Sequence, residues 1–364
     1  MISAQIIKNS ISQLQAVTKV DLTVTDLSGS VVATTTDEPI ADAGLISGFA
    51  MSPADSQVVG NRHLLKIMDE GEPSFILIAS GEGETAYMTG RICCFQIQDL
   101  IVAYKERYDR NNFFQNLMLD NMLLIDVYNR AKKLHIDVSV PRVVLLVDVS
   151  EQEGDNNAQE VLGGMFSAQS GDYITAVDES SIIIIKSLGD TEDYTEIEKI
   201  SDSIVDMMST ELMMNVHVAY GTIVGELKDL SKSYKEAKMA LEVGKIFYVE
   251  KKVNAYNTLG IGRLIYQLPI NLCHIFMKEI FGDRDVISQL DEETLSTIAR
   301  FFENNLNVSE TSRQLFVHRN TLVYRIEKLE RLTGLDIRKF DDAMTFKIAL
   351  MVSNYMRYLD THEY

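Results

Sequence analysis

Residues 307–332 read NVSETSRQLFVHRNTLVYRIEKLERL, a stretch that predicts two short helices separated by a tight turn. Asn307 or Ser309 can cap the first helix, and His318 or Asn320 can cap the second. Such polar side chains accept hydrogen bonds from the unpaired amides of a first helical turn. The second helix is amphipathic, so one face is expected in a core. Its apolar stripe, at positions i, i+4 and i+7, consists of Leu322, Ile326 and Leu329.

The same stretch carries a positive charge that contrasts with the rest of the chain. Residues 313–331 hold five basic and two acidic side chains, a net charge of +3, whereas the whole 364-residue chain has a net charge of −19. A basic helix on an acidic protein is typical of a surface that binds DNA phosphate. In a helix-turn-helix, the first residues of the second helix meet the base edges.

The opposite face of the predicted second helix supplies the chemistry for that contact. Arginine can bond guanine in a bidentate manner and asparagine can bond adenine, whereas threonine and tyrosine hydroxyls more often bond phosphate or sugar. Arg325 also fits an ion pair inside the helical hairpin, and His318 also fits a purely capping role. The candidate DNA-binding residues are Thr311, His318, Arg319, Asn320, Thr321, Tyr324, Arg325, Lys328 and Arg331.

The run VHRNTLVYRI at residues 317–326 resembles the H-R-N-T-L-x-Y-R-L signature of the PucR/CdaR family of bacterial transcription regulators. Thr311 and Ser312 stand where the family usually has Thr-Ala, and Gly334 fits the family's helix stop. The resemblance implies a cytoplasmic regulator of catabolic genes that binds double-stranded DNA through a C-terminal helix-turn-helix. Because recognition helices usually work in pairs on half-sites, we expect a homodimer or a higher homo-oligomer.

Residues 138–259 predict a ferredoxin-like βαββαβ unit and resemble the GGDEF-like middle domain of the same regulators. A working diguanylate cyclase would carry a G-G-[DE]-E-F hairpin, with carboxylates for Mg²⁺ and glycines for phosphate. The hairpin turn here reads VDESS, and Asp148 is a single candidate ligand at a strand end. We therefore expect no enzyme activity and no cofactor. The rival hypotheses are a nucleotide-second-messenger enzyme or receptor, and a scaffold whose basic helix binds an acidic protein.

Residues 1–95 predict a small-molecule sensor of mixed α+β type. The predicted elements are a helix at 2–17, a hairpin at 20–34, an irregular segment at 37–60 and strands at 74–79 and 86–95. The sequence VTDLSGSVVAT at 24–34 resembles a sugar-diacid recognition domain, which implies a PAS-like sensor whose effector is a sugar diacid or another small metabolite.

The sensor lacks the basic stretch that carbohydrate-diacid regulators usually carry after the first hairpin. Residues 38–44 read EPIADAG there, and no Lys, Arg or His occurs between Asp37 and Asn61. A dicarboxylate needs cationic or amide donors. The nearest candidates for ligand binding are Arg62, His63, Lys66 and Arg91.

Residues 96–137 predict a helical linker that joins the sensor to the middle domain. Ile97, Ile101, Tyr104 and Tyr108 repeat at 4-3-4 spacing, which is typical of a short coiled coil, and Asn111-Asn112 are expected to interrupt the helix. Residues 260–364 predict an all-α DNA-binding domain whose last helix covers 341–358. The expected chain is thus an α+β multidomain protein divided at 1–95, 96–137, 138–259 and 260–364.

The composition, 46% hydrophobic and 24% charged, is that of a soluble globular protein. No apolar run approaches the roughly 20 residues that a membrane helix needs, and the N-terminal segment lacks the pattern of a signal peptide. The three cysteines, Cys93, Cys94 and Cys273, are too few and too irregular for a disulfide framework. In a strand, Cys93 and Cys94 would point to opposite faces, so we expect no shared metal site.

Overall fold

A computed structural model describes residues 2–37, 42–81, 83–149, 157–166, 170–178, 180–189 and 193–362. Residues 38–41, part of the segment without basic residues, lie outside the described residues, as do Glu82 and Glu179 of the two predicted turns. The chain folds as two compact units, Met1–Phe114 and Gln115–Tyr364.

The first unit is a five-stranded antiparallel sheet with helices on both faces. The strand order is β2-β1-β5-β4-β3. Strand residues alternate between two cores: Leu65 and Leu77 pack with the first and third helices, whereas Leu64 and Ile76 pack with the second. The elements are α1 (Ala4–Thr18), β1 (Asp21–Thr25), β2 (Val31–Thr34), α2 (Ala43–Met51), β3 (Ser56–Val59), β4 (Arg62–Asp69), β5 (Glu72–Ser80) and α3 (Glu84–Met118), whose last turn enters the second unit.

The first predicted hairpin is confirmed. Val24 pairs with Ala33 in antiparallel β1 and β2, and the turn is closed by hydrogen bonds from the amides of Ser28 and Ser30 to Asp26. Gly29 has a φ of 94° there, a conformation that glycine adopts readily.

The predicted strand at 86–95 is wrong, because these residues form part of α3. The second hairpin is β4 with β5, and the segment predicted as irregular contains α2 and β3. Ala86, Cys93, Ile97 and Ile101 are buried on one side of α3, at the spacing of a helix rather than of a strand.

The predicted linker also differs from the structure. Ile97 and Ile101 belong to the core of the first unit instead of a free coiled-coil seam, whereas Tyr104 and Tyr108 are exposed. Asn111 and Asn112 lie inside α3. The break comes after Met118, and α4 (Leu124–Lys133) follows.

The middle part of the second unit is the predicted βαββαβ arrangement with one helix and one strand added. Its sheet has the order β10-β9-β6-β8-β7, in which only the β9–β10 pair among the described strands is parallel. The helix at Leu230–Phe247 covers one face of this sheet, and the helices at Asn157–Met165 and Tyr194–Glu211 cover the other. The elements are β6 (Arg142–Asp148), α5 (Asn157–Met165), β7 (Tyr173–Thr175), β8 (Ser181–Ser187), α6 (Tyr194–Glu211), β9 (His217–Tyr220), α7 (Leu230–Phe247) and β10 (Val253–Ala255).

Asp148, the residue considered as a single metal ligand, has a cationic side chain as its partner. It is buried at the end of β6, and its carboxylate lies 2.8 Å from Nζ of Lys245 on α7. At the tip of the β7–β8 hairpin, Asp178 accepts hydrogen bonds from Ser180 and Ser181. Across the described ranges, no three His, Cys, Asp or Glu side chains are grouped so that they could hold a metal ion.

The C-terminal part of the second unit is a helical bundle around Phe301 and Phe346. The last helix packs both in this bundle and against α7 of the sheet domain. The helices are α8 (Ile261–Tyr266), α9 (Ile270–Phe281), α10 (Glu292–Glu303), α11 (Val308–Gln314), α12 (Arg319–Thr333) and α13 (Phe340–His362).

The three cysteines are buried free thiols. Burial raises the pKa of both Cys93 and Cys94 to about 12, because a thiolate is poorly solvated inside the core of the first unit. We predict that Ellman's reagent at pH 8 leaves Cys93 and Cys94 unmodified in the native protein and modifies them rapidly in guanidinium chloride. Rapid modification of either thiol in the native protein would contradict this packing.

Gly221, just after β9, has no room for a side chain. A Cβ there would lie 2.0 Å from the carbonyl oxygen of Ser233 on α7, a backbone atom that cannot turn away. Gly221→Ala should therefore lower the free energy of unfolding by about 1–3 kcal/mol or more. The control Gly225→Ala, where a Cβ meets nothing within 4 Å, should stay within about 0.5 kcal/mol of wild type. Urea unfolding measures both, and equal effects would refute the close approach of α7 to the sheet.

Candidate DNA-binding surface

The helix-turn-helix begins and ends with specific caps. The side chain of Asn307 accepts hydrogen bonds from the amides of Ser309 and Glu310 at 3.0 and 3.1 Å, so Asn307 is the cap of α11. Nδ1 of His318 accepts from the Asn320 amide at 3.2 Å and caps α12. Gly334, with a φ of 80°, ends α12, as its place in the sequence predicts.

The apolar stripe of α12 fixes which side of the helix faces outward. Leu322, Ile326 and Leu329 are buried in one core with Phe301 of α10 and Phe346 of α13. This confirms the predicted inner face. The opposite side of α12 therefore faces away from the bundle.

Polar contacts with α10 hold the flank of α12. Arg325 donates to Oγ1 of Thr297 at 3.0 Å and forms a close ion pair with Glu293, and its side chain is only 20% exposed. Nζ of Lys328 lies 3.4 Å from the carboxylate of Asp291. Arg325 thus takes the role of an internal ion-pair partner, the alternative that its place in the sequence left open.

Asp291 has a double role at this contact. It caps α10 by accepting from the Thr294 amide at 2.7 Å. Hydrogen bonds from Thr294, together with Lys328, hold the pKa of the Asp291 carboxyl below its usual value, so it carries a negative charge for Lys328 at neutral pH.

The outward side of α12 presents the remaining candidates. His318, Arg319, Asn320 and Thr321 are exposed around its first turn. Nη1 of Arg319 lies 3.3 Å from Oγ of Ser309 on α11, so the guanidinium bridges the two helices while staying in solvent.

One turn further along α12, an aromatic and a cationic side chain lie together. The ring of Tyr324 is mostly exposed, and the guanidinium of Arg331 lies 5.9 Å from its centroid, within range of a cation–π contact. We call the exposed set His318, Arg319, Asn320, Thr321, Tyr324, Lys328 and Arg331 the outer face of α12.

Thr311 does not belong to this face. It is fully buried, and its hydroxyl donates to the carbonyl of Asn307 at 2.8 Å. Its prediction as a DNA-binding residue is therefore wrong, because a side chain with no exposed surface cannot contact DNA. No sequence pattern indicated Ser309 as a partner of Arg319 or Thr297 as a partner of Arg325.

The four ligand candidates of the first unit do not form one site. Lys66 is buried beside α2, where Nζ donates to the Ser52 carbonyl and lies 5.3 Å from the centroid of the Phe49 ring. His63 points to the opposite face of β4 from Lys66, and its ring centroid lies 5.8 Å from that of Tyr87 on α3. Nδ1 of His63 is buried without a hydrogen-bond partner among the described residues.

Arg62 and Arg91 lie on different elements of the first unit. Arg62 opens β4 and shares the strand face of Lys66, because alternate residues point to the same side. Arg91 lies on α3, with its guanidinium 4.9 Å from the centroid of the Phe95 ring. Arg62 and Lys66 therefore lie on one face of the sheet. His63 lies on the opposite face, which packs against α3.

Among the helices of the described residues, none combines the length and the apolar composition that a membrane span requires.

Two protein families match separate parts of the chain. Residues 294–352 match the PucR C-terminal helix-turn-helix domain, and residues 122–243 match the GGDEF-like domain. The first match covers α11, α12 and most of the bundle that holds them. The second covers α4 and the sheet domain up to α7.

Three curated relatives each align with more than half of this chain. The carbohydrate diacid regulator of Escherichia coli is 26% identical over 78% of this chain and 77% of its own length. The purine catabolism regulatory protein of Bacillus subtilis is 25% identical over 67% of this chain and 48% of its own length. The proline-responsive transcriptional activator PutR of Bacillus subtilis is 23% identical over 61% of this chain and 57% of its own length. With its GGDEF-like domain and its PucR-type helix-turn-helix, the chain belongs to the CdaR/PucR family of transcriptional regulators.

Proposed function

We propose that this protein regulates transcription by placing the outer face of α12 in the major groove of double-stranded DNA. The proposal rests on the two different sides of α12. Its apolar side is fixed in the bundle core, and its polar side, beginning at His318, is exposed. A helix held in this way meets base edges with its first residues.

The residues of the outer face divide into two chemical groups. Arg319 and Asn320 lie in the first turn and can form bidentate contacts with guanine and adenine. Thr321, Tyr324, Lys328 and Arg331 carry hydroxyl or cationic groups that suit phosphate. Arg325 is a positioning residue, because its guanidinium is bound to Glu293 and Thr297.

The first unit is proposed as a PAS-like sensor for a small-molecule effector. Its antiparallel sheet, with helices on both faces, supports a sensor of this type. Lys66 is the strongest candidate for an effector contact, because it is a buried cation whose Nζ is bound to a neutral carbonyl. We infer a cytoplasmic protein that controls catabolic genes, and the name of the purine catabolism regulatory protein supports this proposal.

The sheet domain is proposed as a relay without enzyme activity. A catalytic GGDEF site needs a carboxylate available for Mg²⁺. Here the ammonium group of Lys245 occupies the position beside Asp148. This pairing favours a structural role over the rival hypothesis of a nucleotide-processing enzyme.

A homodimer would give the protein two recognition helices. Met88, Ile92, Phe95 and Val102 form an exposed apolar stripe on α3, on the side away from the buried Cys93 and Ile97. Apolar side chains at 4-3-7 spacing on one helix suit pairing with a second copy of the same helix. In this proposal the exposed stripe takes the place of the seam that the sequence predicted at Ile97, Ile101, Tyr104 and Tyr108.

Arg319→Ala tests the outer face of α12. We predict that it weakens binding to a selected DNA site by about 1–3 kcal/mol and relaxes sequence preference, because a bidentate base contact is lost. The control is Arg357→Ala, which removes the same charge from an exposed position on α13. Fluorescence anisotropy on full-length protein measures both, on a duplex that the wild type selects from a random pool.

Equal affinities for wild type and Arg319→Ala would show that the recognition surface lies elsewhere. An acidic protein bound in place of DNA, with no affinity for any duplex, would favour the scaffold hypothesis instead.

Met88→Glu tests the dimer. The substitution puts a charge in the apolar stripe of α3 and should shift the protein toward monomer in sedimentation equilibrium. The control is Met51→Glu, the same change at a residue of α2 that is also exposed. An unchanged mass for Met88→Glu would remove the stripe from the dimer interface.

A further inference from the structure

Phe316 lies in the turn between α11 and α12 and projects into solvent. Its side chain is 97% exposed, more than any other large hydrophobic side chain in the described residues. Its φ is 53°, in the left-handed region that bulky residues rarely adopt. Glycine or asparagine would fit this backbone with less strain.

A second residue in the same bundle has a similar backbone but a different environment. Leu306, in the turn between α10 and α11, has a φ of 63°, and its side chain packs against the core around Phe301. Burial of that side chain offsets the strain of its backbone. Phe316 has no such compensation inside the chain, because its ring is fully in solvent.

The turn is held rigidly, so the ring of Phe316 is presented in a defined place. The Phe316 amide donates to the Arg313 carbonyl at 3.2 Å, and the Val317 amide donates to the Ser312 carbonyl at 3.0 Å. On either side, Leu315 and Val317 pack against the bundle core. Phe316 therefore stands out from the anchored turn only two residues before His318, the cap of α12.

We propose that Phe316 is an apolar DNA contact, with its ring packed against the 5-methyl group of a thymine. This thymine would lie next to the bases that Arg319 and Asn320 contact. This inference rests on the proposed DNA-binding function. The thymine methyl is the apolar group that the major groove presents, and a phenyl ring can cover it without leaving a polar atom unpaired. Such a contact offsets on binding what the exposed ring and the strained backbone cost in the free protein.

The test uses full-length protein and the duplex that the wild type selects from a random pool. Anisotropy is measured for wild type, Phe316→Ala, Phe316→Gly and Arg319→Ala. The matched control is Phe340→Ala, an exposed phenylalanine in the same bundle that lies beyond the opposite end of α12. Each protein is also titrated with the same duplex carrying deoxyuridine in place of thymine, which removes only the methyl groups.

We expect Phe316→Ala and Phe316→Gly to weaken binding by more than about fourfold, the factor for one buried methyl group. Phe316→Gly should keep or raise the melting temperature, because glycine fits a φ of 53°. Deoxyuridine should weaken wild-type binding by about fourfold and leave Phe316→Ala unaffected. Phe340→Ala should bind like wild type.

Several results would overturn the inference. If Arg319→Ala loses affinity and Phe316→Ala does not, the α12 surface stands and the role of Phe316 falls. If Phe316→Ala binds DNA normally but fails to regulate a reporter, the ring contacts a protein partner instead. If deoxyuridine affects wild type and Phe316→Ala equally, the thymine assignment is wrong. If the wild type selects no DNA, the proposed function fails together with this inference.

Discussion

The orientation of α12 depends on the burial of its apolar stripe. Leu322, Ile326 and Leu329 enter the core around Phe301 and Phe346, and each side chain contributes roughly 1.5–3 kcal/mol by leaving water. Arg325 adds a directional constraint, because its ion pair with Glu293 fixes the rotation of α12 against α10. Because the apolar side of α12 and the flank that carries Arg325 are both engaged in this way, the outer face is a preorganised polar surface. Loss of that packing would remove the surface even with every outer residue in place.

The same bundle is joined to the sheet domain through α13. This helix contributes Phe346 to the helix-turn-helix core, and its later residues pack against α7. Tyr355 shares a buried cluster with Ile246 of α7, and the hydroxyl of Tyr358 bonds Glu242 of the same helix. The GGDEF-like domain and the DNA-binding bundle therefore share one continuous set of contacts. A change in the position of α7 would act on α13 directly and on the bundle that holds α12.

The sequence predicted best where one periodicity dominates. The stripe of α12, its caps and the βαββαβ order depend on local patterns, and they are confirmed. The prediction of a strand at 86–95 failed because the small and apolar residues of this segment fit a buried helix as well as a strand. Packing decides between the two, since Gly90 of α3 lies close to the side chains of Leu65 and Ala79. The prediction of Thr311 as a DNA-binding residue failed for a similar reason. No local sequence pattern distinguishes an exposed threonine on a helix from a buried one. The family resemblance located the helix-turn-helix in the sequence. The rotation of α12 in the bundle depends on tertiary contacts that the sequence does not show.

The salt dependence of DNA binding by the wild-type protein shows whether cationic side chains of α12 lie against DNA phosphate. A chain with a net charge of −19 can bind DNA only through a local cationic surface. If Lys328 and Arg331 of each protomer in a dimer contact phosphate, the logarithm of the binding constant should fall with the logarithm of salt concentration with a slope of about −3.6. Binding that does not change with salt, or no binding at low salt, would contradict the assignment of α12 as the recognition helix.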